Sequence, residues 1–291
     1  MGFTRVPEFT TNKKHVIFIL GPTGSGKTKL SVDLALQFNG EIINCDKIQV
    51  YKGGDIITNK ASEIERQGIR HHLLGIIENT ETDFTVEDFC HHVQAVIKEI
   101  INRNSVPIIA GGSNSYIEAL VEDPKINFRP KYDCCFIWLD ASLHVLYDRV
   151  SRRVDQMAEA GVVNELREMF VPGADYERGI RRAIGLPEMD PFFMAERNDE
   201  DEVTLKSLLE GGINDIKKNT CKLVERQTKK IQRLKSELGW DIHRLDVTCV
   251  HEKHGEEAGN AWKTSVLGPS LTIVECFLKK KYSSSVISRN F

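Results

Sequence analysis

The segment His15–Leu20 (HVIFIL) is a short, continuously apolar run, the pattern of a parallel strand covered on both faces. A polar, glycine-rich stretch follows, Gly21-Pro22-Thr23-Gly24-Ser25-Gly26-Lys27-Thr28. From Lys27 the spacing turns helical: Leu30, Leu34 and Phe38 share a stripe, closed by Asn39-Gly40. Further apolar runs at Glu41–Cys45, Val106–Ala110 and Asp133–Leu139 predict three more strands, ending at Asp46, at Gly111-Gly112-Ser113 and at Asp140. Strands alternating with helices predict a doubly wound parallel sheet. In such sheets ligands sit beyond the carboxyl ends of the strands, where all these polar termini fall.

The second half reads as helical. Leu143, Leu146, Val150, Val154 and Met157 form one apolar stripe, and Ile213, Ile216, Leu223, Ile231, Leu234 and Leu238 form another on a long helix over 213–238. The charge run at 196–202 (ERNDEDE) predicts a solvated loop or helix edge, and 248–262 is polar and punctuated by glycine before an apolar pattern resumes over 270–279. The expected fold is α/β, a doubly wound parallel sheet with a helical C-terminal part; GPTGSGKT after the first strand, of the form G-x-x-x-x-G-K-[ST], makes it the P-loop NTPase type. Its expected divisions are a flexible N-terminus (1–14), the α/β core (15–140), a helical part (141–240), and a strand and helix returning to the core (241–291).

Composition narrows the function classes. Against 39 Lys+Arg stand 42 Asp+Glu, a net charge of −3 over 291 residues. A chain coated with basic charge for gripping nucleic acid is excluded, and no nucleic-acid partner is expected. No run approaches eighteen apolar residues, so no membrane span is expected. Residues 1–14 lack the apolar core of a secretory signal, and Val6 stands where an acylation signal wants Ser or Thr. Seven cysteines form no C-x-x-C pair, which fits reduced thiols inside a cell. The expectation is a soluble intracellular monomer, in the cytosol or, with any transit peptide removed, in the plastid stroma.

The octapeptide GPTGSGKT fits G-x-x-x-x-G-K-[ST] in full, with a strand before it and a helix after it. Its glycines let backbone amides turn inward around a phosphate, and the helix points its positive end at the same place. Lys27 would contact phosphate oxygens, and Thr28 would hold Mg²⁺, the expected cofactor. Asp140, after an apolar strand, reads equally as an acid that orders the metal or as a cap for the helix beginning near Ser142.

Three further segments leave the generic NTPase class: Asn44-Cys-Asp-Lys-Ile-Gln-Val-Tyr51, Ile109-Ala-Gly-Gly-Ser-Asn-Ser-Tyr116 and Ser151-Arg-Arg-Val-Asp-Gln-Met157. With GPTGSGKT, the HHLLG at 71–75 and the GIRRAIG at 179–185, the chain resembles the isopentenyltransferases that prenylate adenine, most closely the plant adenylate isopentenyltransferases that make cytokinins. The resemblance implies that Gly21–Thr28 hold the diphosphate of dimethylallyl diphosphate. It implies an adenine nucleotide, ADP or ATP before AMP, as acceptor, with Asp46 as the base. Lys27, Thr23, Ser113 and Arg153 match positions that contact the diphosphate or its bridging oxygen. Asn59 and Lys60 match a segment near the nucleotide, with a surface turn as the alternative, and Gln49 is expected at the nucleotide as well.

Helix geometry bears on Arg153 independently, since it falls at the edge of the Leu143–Met157 stripe while Arg152 points well away. The competing reading pairs Arg153 with Asp155 or Glu159 on the surface. Lys218, Lys222, Arg226, Lys229, Lys230 and Arg233 share a flank of the long helix, as a solvated face or as cations of which Lys222 or Arg226, with Arg181, meets the acceptor's phosphates. Gln227 lies inside an apolar stripe, where a buried amide must find partners, and Thr220 lies at its border. His71-His72 and His91-His92 read as structural, with His72 the exception to watch. Relatives that modify transfer RNA carry a long insertion after the GG-[ST]-x-x-Y turn; here Cys134 follows Leu120 too closely to admit one, which favours a free nucleotide. A P-loop kinase is the remaining alternative.

Overall fold

The computed structural model describes residues 13–286, with side chains as far as 279. Residues 1–12 of the expected flexible N-terminus lie outside the described residues, and Lys14 already belongs to a strand. That strand, β1 (Lys14–Leu20), feeds the glycine loop and helix α1 (Lys27–Phe38), where Asn39 at φ 51° turns the chain. There follow β2 (Gly40–Asn44), a single turn α2 (Glu63–Arg66), the two-residue β3 (His71–His72) and α3 (Val86–Asn102). Next come β4 (Val106–Ala110), α4 (Asn114–Glu122), α5 (Phe128–Lys131) and β5 (Tyr132–Asp140). The helical part comprises α6 (Leu143–Glu159), α7 (Val162–Met169), a 3₁₀ turn at Gly179–Arg182, α8 (Leu186–Arg197) and α9 (Glu202–Ser236). The fold closes with β6 (Ile242–Asp246), α10 (Thr248–Glu252), α11 (Gly255–Trp262), a π-helical turn at Lys263–Leu267 and α12 (Gly268–Val286).

All strand pairs are parallel, in the order β3-β2-β4-β1-β5-β6. The connections of the neighbours β1 and β4 leave in opposite directions, so a crevice opens at their carboxyl ends, between the GPTGSGKT loop and the Gly111-Gly112-Ser113 turn. Alternate residues of β1 divide between two cores. Val16, Phe18 and Leu20 pack with α3 and α4, while Ile17 and Ile19 pack with α1, the first half of α6 and Trp262 of α11. A third cluster joins the end of α6 to α7, α8 and Ile216 of α9.

Helix α9 begins eleven residues before the apolar stripe reveals it. Its cap lies inside the charge run: Asp201 Oδ1 accepts the amides of Val203 (2.9 Å) and Thr204 (3.0 Å). At Gly211-Gly212 the helix crosses α8. A Cβ at Gly212 would stand 2.6 Å from Met189 Sδ and 3.1 Å from the Glu188 carbonyl, so only glycine lets α8 and α9 approach.

Of the paired histidines, His72 and His92 make the bonds of structural residues, whereas His71, whose Nδ1 bonds the Ile69 carbonyl, also faces the cavity beside the glycine loop. His72 Nε2 bonds Glu41 Oε2 at 2.7 Å, and Arg103 meets the same carboxylate at 2.8 and 2.9 Å, holding its pKa down at about 2. His92 Nδ1 bonds the Asp88 carbonyl.

Candidate active site

The glycine loop is built from both sides. Gly24 and Gly26 take φ of +84° and +96°, where a side chain would be strained. Arg149 Nε donates to the Gly24 carbonyl (2.8 Å), and Lys27 Nζ donates to the Pro22 carbonyl (2.8 Å). Burial and the neighbouring Arg153 lower the Lys27 pKa to about 8, with Asp46 opposing them. Gly21, Pro22 and Ser25 are buried beneath the loop, whereas Thr23, Gly24, Gly26, Lys27 and Thr28 line a cavity of about 490 Å³.

Arg153 reaches this loop from α6, donating from Nη2 to Thr23 Oγ1 at 2.8 Å. Its competing reading fails, because Asp155 pairs with Lys217 at 2.6 Å. Burial, and then Arg149, bring the Arg153 pKa down to about 10, and its Nε has no protein partner. Arg152, expected to point away, stands on the rim of the same cavity.

A second cavity of about 660 Å³ adjoins the first. Thr23, Asp46, Gln49, Asn59, Arg153 and Gln227 line both. Asp46 follows β2, its Oδ1 accepting the Ile48 amide at 2.9 Å. Ser113 holds the adjacent peptide, its hydroxyl accepting the Lys47 amide at 3.0 Å. Gln227 is the pin between loop and turn. Its Oε1 accepts the Thr23 amide (2.7 Å) and its Nε2 donates to the Gly112 carbonyl (3.0 Å), so the buried amide has the partners it needs. Gln49 donates to the carbonyls of Thr58 (2.9 Å) and Asn59 (3.2 Å), and Glu165 of α7 anchors the same loop through the amides of Ile56 and Ile57.

Cations from separate segments gather on the second cavity: Lys47, Arg182, Arg226 and Lys230. Burial, then Arg182, Lys230 and Arg226, push the Lys47 ammonium below its ordinary pKa against the pull of Asp46. Arg226 is the expected one of these; Lys47, Arg182, Lys230 and the loop-holding Arg149 were missed. Arg181 and Lys222 are not brought in. Arg181 pairs with Glu81 at 2.7 Å, and the exposed Lys222 donates to Asn219 Oδ1 at 3.1 Å. Asp140 fits neither of its readings. It is buried, off both cavity walls, and accepts Arg244 of β6 at 2.7 Å, while Ser142 occupies the cap position of α6.

Fold and loop together define a P-loop α/β protein whose phosphate site meets a second, cation-walled cavity at a carboxylate. The sequence model of the IPP transferase family matches residues 49–131 and 122–233. Adenylate isopentenyltransferase 5, chloroplastic, of Arabidopsis thaliana is 51% identical over 93% of this chain and 82% of its own. The tRNA dimethylallyltransferase 2 of the same plant is 30% identical, covering 94% of this chain and 82% of its own. A solved eukaryotic dimethylallyltransferase acting on tRNA superposes with a TM-score of 0.75 at 26% identity, over 92% of this chain and 80% of that one. The chain belongs to the isopentenyltransferase family, and its nearer resemblance is to the adenylate branch. Among the described residues no helix is long and apolar enough to cross a membrane.

Proposed function

We propose that this protein transfers the dimethylallyl group from dimethylallyl diphosphate to the exocyclic amine of the adenine of ADP or ATP, releasing diphosphate, in the first step of cytokinin formation. The carrying observation is that Asp46 and Arg153 stand on the common wall of two anion-attracting cavities. The glycine loop takes the donor's diphosphate, and the apolar and cationic second cavity takes the acceptor. There Val154, Met157 and Leu223 offer carbon surface, and Lys47, Arg182, Arg226 and Lys230 attract phosphates.

The chemistry follows from charge. As the allylic C–O bond breaks, negative charge grows on the leaving diphosphate, where Lys27, Arg153, Thr23 and the loop amides meet it. The adenine amine is a weak nucleophile and sheds a proton as the C–N bond forms. Asp46 Oδ1 is held by an amide, so Oδ2 takes that proton, with Ser113 fixing the neighbouring peptide. No group of three or more His, Cys, Asp or Glu side chains among the described residues is arranged to hold a metal. The exposed Thr28 hydroxyl on the cavity wall suits Mg²⁺ carried largely by diphosphate oxygens and water. When bound, the ion neutralises leaving-group charge.

A free nucleotide is favoured over RNA. Only α5 separates α4 from β5, and the alignment with the tRNA enzyme runs over 385 positions against the 291 of this chain, so that relative carries segments lacking here.

The test is mass spectrometry of ATP, ADP, AMP and unmodified transfer RNA after incubation with dimethylallyl diphosphate and Mg²⁺. A five-carbon adduct on the free nucleotides, fastest on ADP or ATP, is expected. An adduct on RNA alone, or ADP formed from ATP with no adduct, would overturn the reading.

Lys27 gives donor binding a pH dependence. In the empty site its pKa is about 8, and a bound diphosphate favours the ammonium. The complex therefore takes up a proton above pH 8, and affinity falls as pH rises through that value, by up to about tenfold per unit. Calorimetric titration with dimethylallyl diphosphate, without acceptor, in buffers of different ionisation enthalpy reads both effects; constant affinity from pH 7 to 10 would contradict the assignment.

A further inference from the structure

The carboxy-terminal helices lie outside the matched family residues, yet they touch the phosphate loop. Trp262, the last residue of α11, is only 5% exposed. Its ring lies against Gly26: a Cβ there would stand 3.0 Å from Cζ3 and 3.2 Å from Cη2. Gly26, at φ +96°, is the residue at which loop becomes helix, and Lys27 follows it. The indole N–H donates to Asp33 Oδ2 at 2.7 Å, an oxygen that also accepts Lys29 Nζ at 3.1 Å. The Lys29 ammonium stands 5.1 Å from the indole centroid, and Lys29 itself lines the loop's cavity. On α10 the buried His251 ring lies against the Ser25 backbone, so two rings back adjacent residues of the loop. Trp262 is not on the cavity wall.

We propose that Trp262 is a positioning residue for the donor site, fixing the Gly26–Lys27 junction in the form that receives a diphosphate. A loop with glycines in the left-handed region has much backbone freedom to lose on binding. A ring wedged against Gly26 removes that freedom beforehand, and pre-organisation of this kind raises affinity without a contact to the ligand. The inference rests on the assignment of the loop to the donor's diphosphate.

The experiment compares the full chain with Trp262→Ala, Trp262→Leu and Trp262→Phe. Calorimetry with inorganic diphosphate and Mg²⁺ gives Kd, and steady-state kinetics gives KM for each substrate with the other saturating. Trp262→Ala is expected to weaken inorganic diphosphate about tenfold and to raise KM for dimethylallyl diphosphate alike, with KM for ADP and kcat within about threefold. Trp262→Phe keeps an aromatic ring but lacks the Cζ3–Cη2 edge that meets Gly26, and should recover only part of the affinity. Trp262→Leu refills part of the volume without a ring and stands in for the alanine variant if that one does not fold, with about a fivefold loss expected. Unchanged diphosphate affinity in the alanine and leucine variants, or equal loss for both substrates, would overturn the proposal. Failure of the wild-type protein to bind inorganic diphosphate would instead overturn the donor assignment, so the two failures are distinguishable.

Discussion

Asp46→Ala is expected to lose about 10²–10⁴ in turnover while still binding both substrates, because the carboxylate is asked to remove a proton and not to hold a ligand. Asp46 Oδ1 is also an acceptor for the Ile48 amide, so alanine removes a local bond together with the base. Asp46→Asn separates the two roles. Its amide oxygen keeps the Ile48 contact, yet its other end is an NH₂ donor with nothing to offer the departing proton. Both variants should therefore fall by a similar factor in kcat, with KM for ADP and for dimethylallyl diphosphate little changed. A kcat near the wild-type value in Asp46→Asn would remove Asp46 from the role of base. A low kcat in the alanine variant with recovery in the asparagine variant would assign it to shaping the chain after β2.

The glycine-loop half of this site was legible in the sequence, and the second cavity only in part, at Gln49, Asn59 and Arg226, for a geometric reason. The loop, its strand and its helix are contiguous, so one apolar run and one spacing rule describe them. The cations of the second cavity come from Lys47 after β2, Arg182 in a 3₁₀ turn, and Arg226 and Lys230 on α9. In GIRRAIG nothing in composition separates Arg181 from Arg182; the turn gives one to Glu81 and the other to the cavity. On α9, each step of four residues rotates the side chain by about 40°. From Lys222 through Arg226 to Lys230 these steps turn toward the direction of Ile216, Thr220 and Gln227, which is why the latter two cations line the cavity and Lys222 does not. The missed start of α9 has a different cause. Its first turns do carry a stripe, Leu205, Leu208 and Leu209, half-buried against the third cluster, but the stripe is interrupted at Gly211-Gly212, where α9 crosses α8, so the pattern from Ile213 onward stands apart from it. Asp140 misled in both directions because its partner, Arg244, lies on a strand more than a hundred residues on.

Arg153→Met should separate catalysis from stability in the opposite sense to most buried substitutions. The guanidinium is desolvated beside Lys27 and Arg149, has an unpartnered Nε, and has its pKa brought down to about 10. Its one side-chain bond, to Thr23 Oγ1, returns little of the cost of taking a charge out of water. That cost is recovered when the diphosphate arrives and its charge grows as the allylic bond breaks. Methionine keeps the carbon stem and the packing near Val154 and Met157 while removing the charge. The kcat/KM for dimethylallyl diphosphate is expected to fall by about 10²–10³, the usual effect of deleting a donor aimed at developing charge. The melting temperature of the ligand-free protein should stay the same or rise slightly, because a desolvated cation offset only by one hydroxyl bond and the charge of Asp46 has left the cavity wall. Saturating inorganic diphosphate, which raises the melting temperature of the wild type by binding only the native state, should raise that of the variant much less. If the variant instead melts several degrees lower without ligand and keeps its kcat/KM, Arg153 is a structural tie between α6 and the loop, and the leaving group's charge must be met by Lys27, the loop amides and the metal alone.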